Sequence, residues 1–586
     1  MVESLDDCRL DDRTDLVEVD DHSLGRAAGL YRPFEGDLEA VRVAVKAAAL
    51  AWVVREHVRR LEAELLANLH SRGWFAAPSE VARMQAPPRP TTIGHFIGGE
   101  SLDPRETTRF GDVFDPARGE VQARVAFADE STVDHAVRSA RAAFPGWSRT
   151  PIGKRTEVLF KFRELVRQNA LRLAEIVSSE HGKIVHDAEG EVARAMEVID
   201  FACGLAQQLK GEFSENVSRS VDTYSLRQPV GVCAGITPFN FPMMVPAWMF
   251  ASALAAGNTF VLKPSERDPS ASLLIAQLFK EAGLPDGAFN VVHGDKVAVD
   301  ALLTHPEVDA ISFVGSTPIA KYIYETAAKG GKRVQALGGA KNHMVVMPDA
   351  DMEAAADALV SAAYGSAGQR CMAISASVTV GDAAAPLLDA LRKRVAKLKV
   401  GAGHDRNNDM GPVVTSQAKE RILNAIEQGL KSGATLAIDG RDISVSGYEG
   451  GFFIGPTLFD HVKPEMSIYR DEIFGPVLVN VRASTLEEAV ALIHRNPYGN
   501  GTAIFTRNGA AARKFQSEVD VGMVGINVPI PVPVGYYSFG GWKNSLFGDL
   551  HIYGEDGFRF YTRGKVVTSR WDETSAGINL GFPTHK

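Results

Sequence analysis

Four cysteines in 586 residues, at positions 8, 203, 233 and 371, are too few and too scattered for a disulfide framework. They match no metal-ligand spacing either, and sparse thiols suit a reducing compartment, so no metal is expected. A continuous apolar run long enough for a bilayer, about 20 residues, is missing, which argues against a membrane span. Basic residues are scarce at the start: residues 1–22 hold nine Asp/Glu against two Arg, the opposite of a targeting leader. Cytoplasm is therefore the expected location. That segment supplies −7 of the formal net charge of −9. The remainder is near neutral and offers no footprint for nucleic acid. The common dinucleotide fingerprint, G-x-G-x-x-G, is absent as well.

What is present is an ordinary globular composition, 45% hydrophobic and 23% charged, in a chain long enough for two or more domains. Residues 1–22 read as disordered by charge, 36–71 as one long helix, and Ala86-Pro-Pro-Arg-Pro90 as a stiff linker. From His95 onward helices alternate with apolar strands, the pattern of a parallel α/β sheet. Strands are predicted at 231–236, 259–262, 289–292 and 310–314, and helices at 155–169, 189–210, 269–281 and 318–329. Together they form a doubly wound unit of the nucleotide-binding kind. A second α/β series begins near Leu337, with helices at 354–364 and 384–397.

The chemistry centres on Cys371, in Gly365-Ser-Ala-Gly-Gln-Arg-Cys-Met-Ala373, just before a strand-like run from Ile374 to Val380. A cysteine in a glycine-bearing loop beside an arginine can be reached by substrate and held partly as thiolate. Far upstream, Thr237-Pro-Phe-Asn-Phe-Pro-Met243 puts the amide of Asn240 on a proline-bracketed turn after an apolar strand. Gly315 and Ser316 end one strand and open a helix, where free amides and the helix dipole can meet a phosphate.

These segments carry a resemblance. Pro238-Phe-Asn-Phe-Pro242, Leu262-Lys-Pro-Ser-Glu266, Phe313-Val-Gly-Ser-Thr317, Gly338-Gly-Ala-Lys-Asn-His343, Gly368-Gln-Arg-Cys-Met372, Glu472-Ile-Phe-Gly-Pro-Val477 and Phe539-Gly-Gly-Trp-Lys543 stand in order. Over residues 93–572 the chain resembles the aldehyde dehydrogenase superfamily, within it the CoA-acylating methylmalonate-semialdehyde dehydrogenases. The resemblance implies an α/β fold with a doubly wound NAD-binding domain, an α/β catalytic domain and small oligomerisation elements. Its implied boundaries are an N-terminal extension at 1–92, NAD binding at 93–336, catalysis at 337–540 and a C-terminal segment at 541–586. The extension reads either as a docking helix for a partner, a shell or self-association, or as a start placed upstream of Met84.

The resemblance assigns Phe239, Lys263, Glu266, Gly315, Ser316, Glu472 and Phe474 to NAD. Glu266 would accept from ribose hydroxyls and disfavour a 2′-phosphate. It makes Cys371 the nucleophile of a thiohemiacetal and then of a thioester, with Asn240 and the Cys371 amide holding the oxyanion. Hydrolytic relatives carry a glutamate base before Leu-Gly-Gly, and that position is Ala336 here. A methyl group cannot take a proton, so coenzyme A is the implied co-substrate, although Glu281 or another carboxylate could substitute as base. Arg194 and Arg370 are implied to hold the carboxylate of a semialdehyde. The implied reaction oxidises malonate or methylmalonate semialdehyde and releases acetyl-CoA or propionyl-CoA after decarboxylation. The competing readings are a hydrolytic dehydrogenase giving a free acid and a non-catalytic structural relative. Segments 215–228 and 565–569 are implied to sit at the interface of a homo-oligomer, a dimer or tetramer.

Overall fold

A computed structural model describes residues 91–102 and 109–571. The predicted helix at 36–71, the acidic tail and the proline linker lie outside the described residues. Two large sheets dominate. In the first, eight strands run Leu546–Phe547, Arg333–Leu337, Ala310–Val314, Val232–Ile236, Thr259–Lys263, Phe289–Val291, Phe96–Ile97 and Glu100–Ser101. The central five are parallel. In chain order they lie 5-4-1-2-3, so the winding reverses between Val232–Ile236 and Ala310–Val314. That reversal opens a crevice beyond the strand C-termini, the usual ligand position in such sheets.

The second sheet has seven strands: Thr435–Ile438, Thr457–Asp460, Val477–Ala483, Ile374–Val380, Asn342–Val346, Gly501–Phe505 and Met523–Ile526. All but the first are parallel. Both sheets read as near-continuous Val, Ile, Leu and Ala runs because helices cover both faces. The helix Met244–Ala256 shows this most clearly: every residue is buried and it has no polar face. It ends at Gly257, which takes a left-handed φ of +98° that a side chain would disfavour.

The strand expectations at 231–236, 259–262, 289–292 and 310–314 match to within one residue. The helix expected at 189–210 instead spans Val185–Cys203 and stops at Gly204. Gly190 lies inside this helix, where a Cβ would meet nothing. The C-terminal stretch returns to the first sheet: Leu546–Phe547 pairs antiparallel with Ala336 and Leu337. A third sheet joins Thr562–Arg570 to Val221–Pro229 over nine residue pairs, with Phe213–Ser218 outside them. Among the described residues no helix is long and apolar enough to cross a membrane.

Candidate active site

Cys371 is placed by a strained approach. The helix Met352–Tyr364, capped by Asp351, gives way to the turn Gly365–Gly368. There Ser366, Ala367 and Gly368 take φ of +54°, +51° and +69° in succession. Non-glycine residues held there cost about 1–3 kcal/mol each and persist only where surroundings impose them. The imposing neighbour is Gly475, whose carbonyl a Cβ on Gly368 would strike. The loop before Cys371 is thereby pressed against the segment carrying Glu472 and Phe474.

Two asparagines fix the backbone of the cysteine. Asn342 Nδ2 donates to the carbonyls of Cys371 (2.9 Å) and Ala373 (3.0 Å), and Asn500 Nδ2 donates to Cys371 (3.2 Å). The Gly501 amide in turn donates to Asn342 Oδ1. With its carbonyl held, the half-buried Cys371 is oriented independently of its thiol. Burial first, and the Glu472 carboxylate second, push that thiol up to about 12, against the Cys371 and Met372 amides and Arg370. The resting thiol is therefore protonated at neutral pH. Cys203 and Cys233 are both buried within the core, which leaves Cys371 the accessible thiol among the described residues.

Around the thiol lies a small cavity of about 20 Å³ whose lining includes Ala340, Asn342, Cys371, Glu472 and Phe474. Glu472 is its single carboxylate. It accepts from the Ala340 amide at 2.9 Å, and burial pushes its carboxyl up to about 7 against the pull of Lys341 and Arg421. Ala336 is buried in an apolar cluster with Phe313 and Ile236, and Glu281 is exposed on another helix. A larger cleft of about 910 Å³ between Asp134 and Glu307 holds no thiol.

Asn240 is buried on the turn that follows Val232–Ile236. Phe241 and Met243 of that turn belong to the apolar cluster against which Cys371 packs. The Asn240 carbonyl accepts from Lys183 Nζ at 2.6 Å, a partner that no motif had singled out.

Of the predicted cofactor residues, Phe239, Lys263, Glu266, Gly315 and Ser316 lie at the C-terminal edge of the first sheet, while Glu472 and Phe474 precede the strand Val477–Ala483 of the second. Lys263 Nζ meets Glu266 Oε2 at 3.2 Å. Although burial opposes it, Lys263 holds the Glu266 carboxyl below its ordinary value. Ser316 caps the helix Thr317–Lys329 without a side-chain bond, leaving its first-turn amides available. The Thr237 hydroxyl, at the neighbouring strand end, is buried with no partner among the described residues. Phe239 and Phe474 meet edge to face at 5.8 Å, joining this edge to the segment beside Cys371. Phe474 reaches that position with a φ of +55°.

The two arginines are brought close to the site but already have partners. Arg370 pairs with Asp187 at 2.5 Å and lies over Gly365, where a Cβ would collide with its guanidinium. Its outer side borders a cleft of about 620 Å³ lined also by Lys393, Arg394 and Lys397. Arg194 pairs with Glu197 at 2.7 Å and donates to the carbonyls of Val532 (3.2 Å) and Pro533 (2.8 Å). Tyr553 Oη donates to the same Pro533 carbonyl at 2.9 Å. Burial pushes its phenol well above the ordinary value. A lone tyrosine before Gly554 gave no signal of this in the sequence.

Known proteins resemble this chain in sequence and fold. The aldehyde dehydrogenase family model matches residues 103–567. A malonate-semialdehyde dehydrogenase of Pseudomonas aeruginosa is 57% identical over 84% of this chain and 99% of its own. An acylating, mitochondrial methylmalonate-semialdehyde dehydrogenase of Arabidopsis thaliana is 48% identical over 90% of this chain and 86% of its own. Among solved structures, a candidate methylmalonate-semialdehyde dehydrogenase from Sinorhizobium meliloti, complexed with NAD, superposes with a TM-score of 0.82 at 54% identity. That match covers 83% of this chain and 99% of the other. With the family model matching most of its length and a relative 57% identical over 84% of it, this chain belongs to the aldehyde dehydrogenase family.

Proposed function

We propose that this protein is an NAD-dependent, CoA-acylating semialdehyde dehydrogenase. It would oxidise malonate or methylmalonate semialdehyde and release acetyl-CoA or propionyl-CoA with loss of CO₂. The observation that carries the reading is the surroundings of Cys371. Its cavity has one carboxylate, Glu472, already engaged by the Ala340 amide, and the position at which the resemblance expects a water-activating glutamate is Ala336. A thioester formed there has no dedicated group to activate water and awaits a thiol nucleophile.

The residues fit the cofactor. The uncapped helix start at Ser316, with Gly315 before it, suits a pyrophosphate. Glu266 and Lys263 suit the adenosine ribose, and the Glu266 charge favours NAD over NADP. The unpartnered Thr237 hydroxyl stands at the neighbouring strand end. Phe239, Glu472 and Phe474 would flank the nicotinamide end. Bound NAD supplies the hydride acceptor.

The chain's own groups do the rest. Cys371 Sγ, on giving up its proton, bonds to the aldehyde carbon. The carbonyl oxygen becomes an oxyanion held by the Asn240 amide and the Cys371 N–H. Collapse of that adduct, with loss of hydride, leaves a thioester on Sγ. The β-carboxylate then departs as CO₂, its electron pair passing into a thioenolate held by the same donors and quenched by a proton. The thiol of coenzyme A attacks the thioester carbon, and Cys371 leaves. Arg194 and Arg370 would hold the substrate carboxylate, each sharing its guanidinium with Glu197 or Asp187.

We assign NAD binding to residues 93–336, chemistry to 337–540 and an oligomerisation strand to the C-terminal segment 541–586, of which Leu546–Phe547 pairs with the first sheet. The third sheet, with Val566 70% and Phe213 63% exposed, suits a subunit contact in a homo-oligomer. The function is tested by following NADH from malonate semialdehyde with and without CoA and identifying the product. Acetyl-CoA with CO₂ is expected; malonate formed at full rate without CoA would contradict the reading.

A further inference from the structure

Lys183 and Glu191 form an ion pair at 2.8 Å with neither side chain exposed at all. Such burial is costly, and replacing a buried pair by apolar residues is often neutral or stabilising. Stability alone therefore does not explain the pair. Its remaining contacts do. Lys183 Nζ donates to the carbonyl of Asn240 at 2.6 Å, and it stands over the Phe241 ring at 4.4 Å. Glu191 Oε1 accepts from the amides of Met243 (2.8 Å) and Met244 (3.1 Å). Those amides open the helix Met244–Ala256, which has no side-chain cap of its own. A carboxylate there satisfies orphan donors and complements the helix dipole.

The pair thus grips the turn at the carbonyl of Asn240 itself and at the residues that follow it. The local backbone is built to deliver Lys183 inward. Helix Ala170–His181 ends at Gly182 with φ +92°, where a Cβ would press on Pro116 and Pro412. The Lys183 carbonyl then accepts from Ser178 Oγ at 2.7 Å. Glu191 lies eight residues on, on the inner face of Val185–Cys203.

We infer that the buried Lys183–Glu191 pair is the positioning device of the acylation site, setting the turn that carries Asn240 and acting on catalysis through that residue. The inference rests on the reading of Asn240 as an oxyanion donor and goes beyond it. A donor preorganised for a developing charge needs a backbone that does not yield, and two interlocked charges supply this.

The test is a double-mutant cycle on the rate of the NADH burst, measured with malonate semialdehyde and saturating NAD in the full-length protein. Asn240→Ala should lose about 10²–10³-fold. Lys183→Met should lose more than tenfold in the parent but no more than about twofold in the Asn240→Ala background, because its effect is then already spent. NAD affinity should be unchanged in both. Glu191→Gln keeps an oxygen for the Met243 and Met244 amides, so it serves where Lys183→Met fails to fold, with the same dependence on Asn240 expected. Losses that multiply in the two backgrounds, or an unchanged burst rate in Glu191→Gln, would overturn the inference. A full-rate Asn240→Ala protein would overturn the oxyanion reading, and this inference with it.

Discussion

The two parallel sheets serve the site from opposite ends. In the first, Thr237, Lys263 and Gly315 with Ser316 follow the C-termini of their strands, flanking the reversal of winding. In the second, the chemistry precedes the strands. Cys371 leads into Ile374–Val380, Glu472 and Phe474 lead into Val477–Ala483, Asn500 leads into Gly501–Phe505, and Asn342 opens Asn342–Val346. The first arrangement is where doubly wound sheets bind ligands by default, since helix N-termini converge there. The second lacks those amides and instead relies on strained backbone and side-chain clamps. Binding is thus a property of topology here, while the nucleophile has to be held by particular residues.

The sharpest way to break this division is Cys371→Ala. It should abolish NADH formation while leaving NAD affinity intact, as read by fluorescence titration. Retention of even a tenth of the activity would mean that the chemistry is not where the second sheet puts it.

Next in size is Gly368→Ala. The positive φ and the Gly475 carbonyl both oppose a methyl group, so the burst rate should fall at least tenfold as the loop shifts. Gly283→Ala is the control: its φ is +90°, but a Cβ there meets nothing. It should lower thermal stability modestly and leave the burst unchanged. Equal activity losses would show that strain as such, and not its place beside Cys371, is what matters.

A third comparison sets a charged semialdehyde against a neutral one. If Arg194 and Arg370 hold a carboxylate, Arg194→Ala should reduce the preference for malonate semialdehyde over propanal by roughly tenfold or more, since a charged hydrogen bond contributes ~1.5–3 kcal/mol. Arg370→Ala should do likewise. Equal losses on both aldehydes would make Arg194 a strut for the Val532 and Pro533 carbonyls.

The smallest effect concerns pH. Burial pushes the Glu180 carboxyl up to about 7, with only Ser270 opposing it. The folded chain then holds a proton that the unfolded chain releases near the ordinary glutamate value, about 4.3. Folded protein binds more protons between those limits, so stability should fall as pH rises from about 5 to 7. Glu180→Gln should flatten that part of a melting-temperature profile. An unaltered slope would assign the fall to other groups.

How much of this was legible beforehand follows the same division. The strands of the first sheet stand out as apolar runs ending in Gly, Pro or Lys, and the residues just after them were read as cofactor contacts. Ile374–Val380 was equally clear as a strand after a glycine loop. What could not be read was the packing between distant segments. Asp187 meets Arg370, and Lys183 meets Asn240, through pairs 183 and 57 positions apart. Asn342 stood inside a recognised motif, but its clamp on Cys371 appears only when two strands lie side by side.

The central claim is that acyl transfer from Cys371 waits for a thiol because Ala336 offers no base. Rapid mixing of the enzyme with NAD and malonate semialdehyde, without CoA, tests it most directly. The account predicts a burst approaching one NADH per subunit, then near arrest, with turnover resuming when CoA is added. Sustained NADH production without any thiol, with malonate as the product, would contradict it.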